Sequence, residues 1–278
     1  MKNFLKFSLF FSFLIYIQFL HSQTIEQRNN IIKNYDLNKL FELSKEFELD
    51  YIKDYNLGLE YITKNNLPFD GFDSDSSYFS LKGYDSSIND VLYYKTLNNT
   101  QTSSSIQTAR VQNLHNGIAI NHLVNGNDMI LGIWDGGQPL ADHQNLGTSR
   151  VINKDGQFTT GTTAGAIQNG INHATHVSGT MIGNGTVNVF AKGIAPLANL
   201  WANTRDNDLA EMTIQAAQGL LVSNHSYSIN NRSYVNLPGF FGRYTAISRG
   251  FDALTFNADM YMPVFSAGND RNGIYISG

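Results

Sequence analysis

Residues 172–180 read Asn-His-Ala-Thr-His-Val-Ser-Gly-Thr, and this stretch carries the strongest signal in the chain. Its small side chains are typical of a helix that packs closely against a sheet. Gly183 and Gly185 follow as a helix stop signal. We therefore expect a helix over residues 173–181, opened by His173. An imidazole held rigidly at the end of such a helix has the fixed placement that a general base needs.

Short apolar runs alternate with helical stretches on both sides of this segment. The strands are predicted at residues 129–134, 199–202, 221–223 and 262–265, and further helices at residues 208–221 and 246–256. This alternation indicates an α/β fold, with a parallel sheet flanked by helices and connected by right-handed crossovers. Asp208 and Glu211 have the spacing of a capping box at the start of one helix.

Three polar residues stand at or just past the ends of predicted strands. They are Asp135, Ser226 and Asn269. In a parallel sheet, binding sites lie beyond the carboxyl ends of the strands, so these side chains and His173 are the candidate site.

The segment from His173 resembles the histidine motif of subtilisin-like serine proteases, His-Gly-Thr-His-Val-Ala-Gly-Thr. Ala174 and Ser178 are small-for-small replacements within it. The resemblance implies that His173 is catalytic and that His176 is a structural helix residue. It also implies a fold with a subtilisin-like parallel sheet.

Residues 129–137, Met-Ile-Leu-Gly-Ile-Trp-Asp-Gly-Gly, are similar to the aspartate motif of the same family, which more often reads Asp-Ser-Gly or Asp-Thr-Gly. Asp135 is then the implied catalytic aspartate, and Gly136 is a departure that removes a supporting side chain. Asp135 and His173 are expected within hydrogen-bond reach, with the aspartate holding the ring tautomer and stabilising the imidazolium.

Downstream, Ala-Gly-Asn at residues 267–269 resembles the oxyanion motif, which implies that Asn269 donates to the oxyanion. Ser226, Tyr227 and Ser228 resemble the substrate-binding strand, although the family usually has glycine at the position of Ser228. The order Asp, His, Asn is that of subtilisin, with the serine last. We expect the serine motif beyond Gly278, so the fold is expected to be incomplete at the C-terminus and these 278 residues alone to be inactive.

The family resemblance, which runs from about residue 111 to residue 278, implies a serine-type endopeptidase acting on proteins or peptides by acyl transfer. Its chemistry requires no cofactor, and the sequence leaves a structural calcium ion open. The formal net charge of −4 argues against nucleic acid as a partner. The absence of cysteine excludes disulfides, thiolate metal sites and a cysteine nucleophile.

Residues 1–22 have the pattern of a signal peptide, because Lys2 and Lys6 lie just before a short apolar run over residues 7–20. We expect secretion and no membrane span once this segment is removed. Residues 23–110 are expected to form a pro-segment or an accessory region, and residues 111–278 a partial peptidase domain.

Within that N-terminal region the sequence predicts one helix and two loops. Leu40, Leu43 and Phe47 recur at helical spacing, and Ile52 and Tyr55 are expected to continue the same face. The loops are predicted at residues 70–77 and 98–105, which are rich in Asp, Ser, Asn, Thr and Gly.

Two other functions compete with proteolysis. In a metalloenzyme, His173 and His176 would bind a metal from one helix face together with Asp135 or His143, but the His-Glu-x-x-His signature is absent. The second alternative is a catalytically inert, protease-like binding protein. The reading frame beyond Gly278 separates the inert protein from the enzyme, and chelation tests the metalloenzyme.

Overall fold

The computed structural model describes residues 24–74, 76–96, 106, 108–156, 162–230 and 242–269. Six α-helices are described, α1 (Ile25–Ile32), α2 (Leu37–Asn65), α3 (Gln112–His115), α4 (Ala164–Ile182), α5 (Asp208–Ala217) and α6 (Ala246–Asn257), with a 3₁₀ turn at Val189–Ala191. The described strands are β1 (Asp70–Phe72), β2 (Tyr78–Asp85), β3 (Asp90–Thr96), β4 (Ile130–Asp135), β5 (Val151–Asn153), β6 (Asn199–Thr204), β7 (Val222–His225), β8 (Tyr227–Ile229) and β9 (Met262–Phe265).

The larger sheet has the order β5-β6-β4-β7-β9, and every pair in it is parallel. This confirms the predicted helix-flanked α/β fold. Side chains of β4 alternate between the two faces. Ile133 packs in a core cluster with Ile182 of α4, whereas Trp134 packs in a second cluster with Met212 of α5 and Leu254 of α6. Helices therefore cover both faces of the sheet.

Helix α4 begins at Ala164, so the prediction that His173 opens the helix was wrong. Thr163 is the N-cap, and its side chain accepts a hydrogen bond from the backbone N–H of Ala166. The weakly helical residues before His173 are held in the helix by this cap and by packing on the sheet. Gly183 is the C-cap, as the sequence indicated.

The N-terminal unit, defined here as residues 24–96, contains α1, α2 and the antiparallel strands β1-β2-β3. The loop prediction was wrong at Asp70–Phe72, because this segment pairs with residues 78–80 of β2. Helix α2 confirms the predicted helix and buries Leu40 and Leu43, but Ile52 is 47% exposed and does not continue that face. Short strands of this kind depend on a tertiary partner that local composition does not reveal.

The start of α5 also differs from its predicted capping box. Asn207 is the N-cap in a left-handed conformation, with no side-chain cap hydrogen bond. Glu211 instead accepts a hydrogen bond from the indole N–H of Trp134 at 2.8 Å. A tertiary contact with β4 has therefore taken the side chain that local spacing assigned to the cap.

Some predictions lie outside the described residues, namely the signal peptide and the loop at residues 98–105.

No helix among the residues described is both long and apolar enough to span a bilayer.

Candidate active site

The site is built on a bond between a strand end and a helix. Asp135 is the last residue of β4 and is fully buried, and His173 in α4 is 8% exposed. The Nδ1 atom of His173 lies 2.7 Å from Oδ1 of Asp135, which confirms the predicted contact. The same oxygen accepts the backbone N–H of Gly136 at 2.6 Å. An ionised carboxylate only accepts, so Nδ1 carries the proton and Nε2 is the basic nitrogen.

Gly170 sets the distance between α4 and the turn after β4. A Cβ atom on Gly170 would overlap the carbonyl oxygen of Gly136 and lie 2.8 Å from its carbonyl carbon. Only glycine at position 170 lets the helix pass this close to the turn. This close approach brings His173, one turn further along the helix, onto Asp135.

Gly136 changes the surroundings of the carboxylate. The second oxygen of Asp135, Oδ2, is buried and has no hydrogen-bond partner among the described residues. Gly136, where the resembled motif usually has serine or threonine, has no side chain that could donate to this oxygen. The departure at Gly136 therefore leaves the carboxylate in place and removes one potential donor beside it.

The other predicted site residues lie at the same edge of the sheet. Asn269 follows β9 in an exposed turn, and Ser226 follows β7. Since β4, β7 and β9 are parallel, their carboxyl ends face the same side. A hydrogen bond joins His173 to Asp135, and Asn269 and Ser226 lie at the same edge of the sheet.

The predicted substrate-binding strand is paired with another part of this chain. Tyr227 and Ser228 belong to β8, and β3 of the N-terminal unit runs antiparallel to it, with Thr96 opposite Tyr227 and Lys95 opposite Ser228. The backbone N–H of Asn230 donates to the carbonyl oxygen of Tyr93 at 2.7 Å. An extended peptide thus already lies on β8, where the sequence predicted a substrate.

A series of buried hydrogen bonds connects Tyr227 of β8 to residues of α5 and β7. Tyr227 donates to Oδ2 of Asp208 at 2.7 Å, and its hydroxyl lies 3.0 Å from Nδ1 of His225. Nε2 of His225 is 2.7 Å from Oγ of Ser223, which is 2.6 Å from the hydroxyl of Tyr261. With Tyr227 donating to Asp208, Nδ1 of His225 donates to the Tyr227 hydroxyl, and a neutral ring then accepts from Ser223 through Nε2.

Burial shifts the pKa values of several groups around this edge. Burial lowers the pKa of His225 to about 3, in agreement with the neutral ring. Burial raises the pKa of Glu211 to about 9 and that of Asp206 to about 6, and it raises the pKa of Tyr227 well above its ordinary value. In each case the cause is that the low-dielectric interior disfavours the charged form.

Arg205 is a site residue that the sequence reasoning missed. It follows β6 directly, is fully buried, and donates its backbone N–H to the carbonyl oxygen of Asp135 at 2.8 Å. The signal that could have found it is the rule already applied to Asp135, because Arg205 also follows the carboxyl end of a parallel strand.

A profile of the Subtilase family matches residues 72–277. The chain belongs to the Subtilase family. No curated protein matches it. The matched range begins at Phe72, ahead of the boundary near residue 111 that the motifs suggested, and it therefore includes β2 and β3 of the N-terminal unit. As a family, subtilases are serine-type peptidases, so the chain has the scaffold of that activity, with its aspartate and histidine motifs in contact.

The metalloenzyme alternative gains no support from this arrangement. His176 is exposed on α4, whereas His173 turns its Nδ1 to Asp135. Among the described residues, no group of three or more His, Cys, Asp or Glu side chains is placed to hold a metal ion.

Proposed function

We propose that this subtilase is a secreted serine-type endopeptidase that hydrolyses peptide bonds by acyl transfer. The observation that carries the proposal is the 2.7 Å contact between Nδ1 of His173 and the buried Oδ1 of Asp135. Serine peptidases use such a pair to make Nε2 a base for the nucleophilic hydroxyl. Secretion rests on the sequence of residues 1–22 alone.

In the proposed reaction, His173 removes the proton of a serine hydroxyl that the family resemblance places beyond Gly278. The oxygen attacks the scissile carbonyl carbon, and the protonated ring then gives its proton to the leaving amine. Asp135 stabilises the imidazolium, and Asn269 donates its amide N–H to the oxyanion. Side chains and backbone donors carry these steps, so the proposed chemistry requires no cofactor.

The N-terminal unit is, in this proposal, a pro-segment that blocks the substrate position. Its support is the pairing of β3 with β8, which gives an extended chain the antiparallel pairing that a substrate strand would need. Substrates are then proteins or peptides that bind as an added strand on β8 after β3 has left.

The experiment is an activity assay of the full-length protein, processed to release the N-terminal unit, on a casein-like substrate, with labelling by a serine-directed covalent inhibitor. Replacing His173 by Ala should lower turnover by more than about 10³-fold. His176→Ala is the matched control, because His176 is an exposed residue of the same helix, and it should keep turnover within about twofold of the parent protein.

Three results would contradict the proposal. Equal losses in the two variants would show that His173 has no special role. Activity that disappears with a chelator and returns with a transition metal, but not with calcium, would favour the metalloenzyme. A correctly processed full-length protein that neither turns over substrate nor takes up the inhibitor would favour a binding protein.

A further inference from the structure

The guanidinium of Arg205 is enclosed by residues of the N-terminal unit. Nη1 donates to Oγ1 of Thr96, and Nη2 donates to Oγ of Ser80 at 2.8 Å. The guanidinium carbon lies 5.2 Å from the ring centre of Tyr94 and 5.9 Å from that of Tyr78. Its Nε has no hydrogen-bond partner among the described residues. When the N-terminal unit leaves, these four partners leave with it.

Arg205 also lies beside the candidate catalytic pair. Its backbone binds the carbonyl oxygen of Asp135, and its Nη1 lies 3.8 Å from the position that a Cβ on Gly136 would take. Thr96 is the last residue of β3 and is paired with Tyr227 of β8. The guanidinium thus contacts the strand on β8 at two positions, the Tyr94 ring and the Thr96 hydroxyl, and it is hydrogen-bonded to the strand through Thr96.

Gly136 leaves the space that this contact needs. A Cβ atom on Gly136 would lie 2.9 Å from Oγ1 of Thr96, which is closer than side chains normally approach. The absence of a side chain at position 136 therefore permits the Thr96 hydroxyl to lie between the Asp135 turn and Arg205. Glycine in place of the usual serine or threonine at position 136 thus makes room for a side chain of the strand that is bound on β8.

We propose that Arg205 determines specificity by selecting extended peptides with Thr or Ser at the position that Thr96 occupies on β8. As a statement about substrates, the inference rests on the proposed proteolysis. A guanidinium donates a charge-assisted hydrogen bond to a hydroxyl oxygen, and an aliphatic side chain offers no acceptor for it. The charges of Asp206 and Asp135 already act on Arg205, so a neutral hydroxyl fits this position better than a further carboxylate.

The first test measures recognition without turnover, in the full-length protein with its N-terminal unit in place. Hydrogen exchange of the Asn230 amide reports release of β3, because that amide donates to Tyr93. Thr96→Val should speed this exchange about tenfold or more, and Thr96→Ser should leave it near the parent rate. In an Arg205→Met background, Thr96→Val should have no further effect.

Tyr93→Phe is the matched control for this cycle. It also removes one hydroxyl from β3, but that hydroxyl donates to the carbonyl oxygen of Pro68 inside the N-terminal unit. Its effect should be equal in the parent background and in the Arg205→Met background. If Thr96→Val speeds exchange equally in both backgrounds, the inference is overturned. If Arg205→Met does not fold, the two Thr96 variants still test the inference. Similar exchange rates in Thr96→Val and Thr96→Ser would overturn it.

The second test compares the cleavage of two fluorogenic peptides by the processed protein, from which the N-terminal unit has been removed. One has the sequence of residues 93–99, Tyr-Tyr-Lys-Thr-Leu-Asn-Asn, and the other has Val in place of Thr. The Thr peptide should have a kcat/KM about tenfold or more higher, and this ratio should fall to about 1 in Arg205→Met. Gly136→Ala should also lower the ratio, because its methyl group takes the space of the hydroxyl.

The two tests separate this inference from the proposed function. Cleavage of both peptides at equal rates would support proteolysis and overturn selection by Arg205. Coupling in the exchange experiment with no cleavage of either peptide would support recognition by Arg205 and contradict proteolysis. The absence of both coupling and cleavage would contradict both proposals.

Discussion

At the scale of single residues, the site depends on one carboxylate oxygen. Oδ1 of Asp135 receives both the His173 ring and the backbone N–H of Gly136. Asp135→Asn would offer an amide that can turn a donor toward Nδ1 and so favour the wrong ring tautomer. We expect the variant to fold normally and its kcat to fall by about 10⁴-fold, measured on the full-length protein.

The control for this change is Asp142→Asn. Asp142 is an exposed carboxylate in the same stretch of chain, so its variant carries the same change of charge outside the catalytic pair. Its kcat should stay within about twofold of the parent value. A comparable loss in both variants would mean that the measured effect is one of overall charge.

At the scale of elements, the placement of α4 depends on the absence of a side chain at Gly170. Gly170→Ala should lower the free energy of unfolding by about 1–3 kcal/mol, since the helix must move away from Gly136. Gly179→Ala is the matched change in the same helix, where a Cβ meets nothing within 4 Å. It should be neutral or stabilising by about 0.5–1 kcal/mol.

Denaturant unfolding of both variants provides the measurement. The turnover of Gly170→Ala should fall together with its stability, because displacement of α4 also moves His173 away from Asp135. If the two alanine variants have the same stability, the helix does not rely on this close approach.

The burial of Glu211 on α5 makes the stability of the fold depend on pH. Burial raises the pKa of Glu211 to about 9 from an ordinary value of 4.5, while Nε1 of Trp134 donates to this side chain. The folded state therefore holds the proton more tightly than the unfolded state. The contribution of protonated Glu211 to the free energy of unfolding is fully present below about pH 4.5 and is lost as pH rises toward 9.

Glu211→Gln cannot ionise but keeps an oxygen that accepts from Trp134. We expect the variant to lose less stability than the parent between pH 4.5 and pH 9 in urea unfolding measured at a series of pH values. Glu46→Gln, at an exposed position of α2, should follow the parent curve. Parallel curves for the parent and Glu211→Gln would contradict the argument.

At the scale of the whole molecule, the N-terminal unit completes the core of the parallel sheet. Leu40 of α2 is fully buried in the same cluster as Met212, Leu220 and Leu254. Leu40→Ala should lower the free energy of unfolding by about 2–5 kcal/mol. Because the core is shared, unfolding followed by tryptophan fluorescence and by circular dichroism should remain a single coincident transition.

Leu49→Ala is the control on the same helix, since Leu49 is 67% exposed. Its effect should lie within about 0.5 kcal/mol of zero. Two separated transitions in the parent protein would show that the N-terminal unit and the parallel sheet fold independently.

The sequence by itself determined the parallel sheet and the strand β9 through local patterns, namely apolar strands followed by polar residues and a helix of small side chains. The pairing of Asp135 with His173 was expected from the resemblance of their two motifs to those of a known family. Local patterns could not show that α4 begins at Ala164, because Thr163 and the sheet hold residues with weak helical preference. They also placed a loop at Asp70–Phe72, where a partner strand imposes extended backbone.

Only the tertiary structure decided what surrounds the site. Glu211 has the spacing of a cap, but a distant indole takes its side chain. The pairing of β3 with β8 and the burial of Arg205 beneath Thr96 join residues far apart in the chain. Such contacts depend on how whole elements dock and on the closure of long loops, and a window of neighbouring residues carries no information about either.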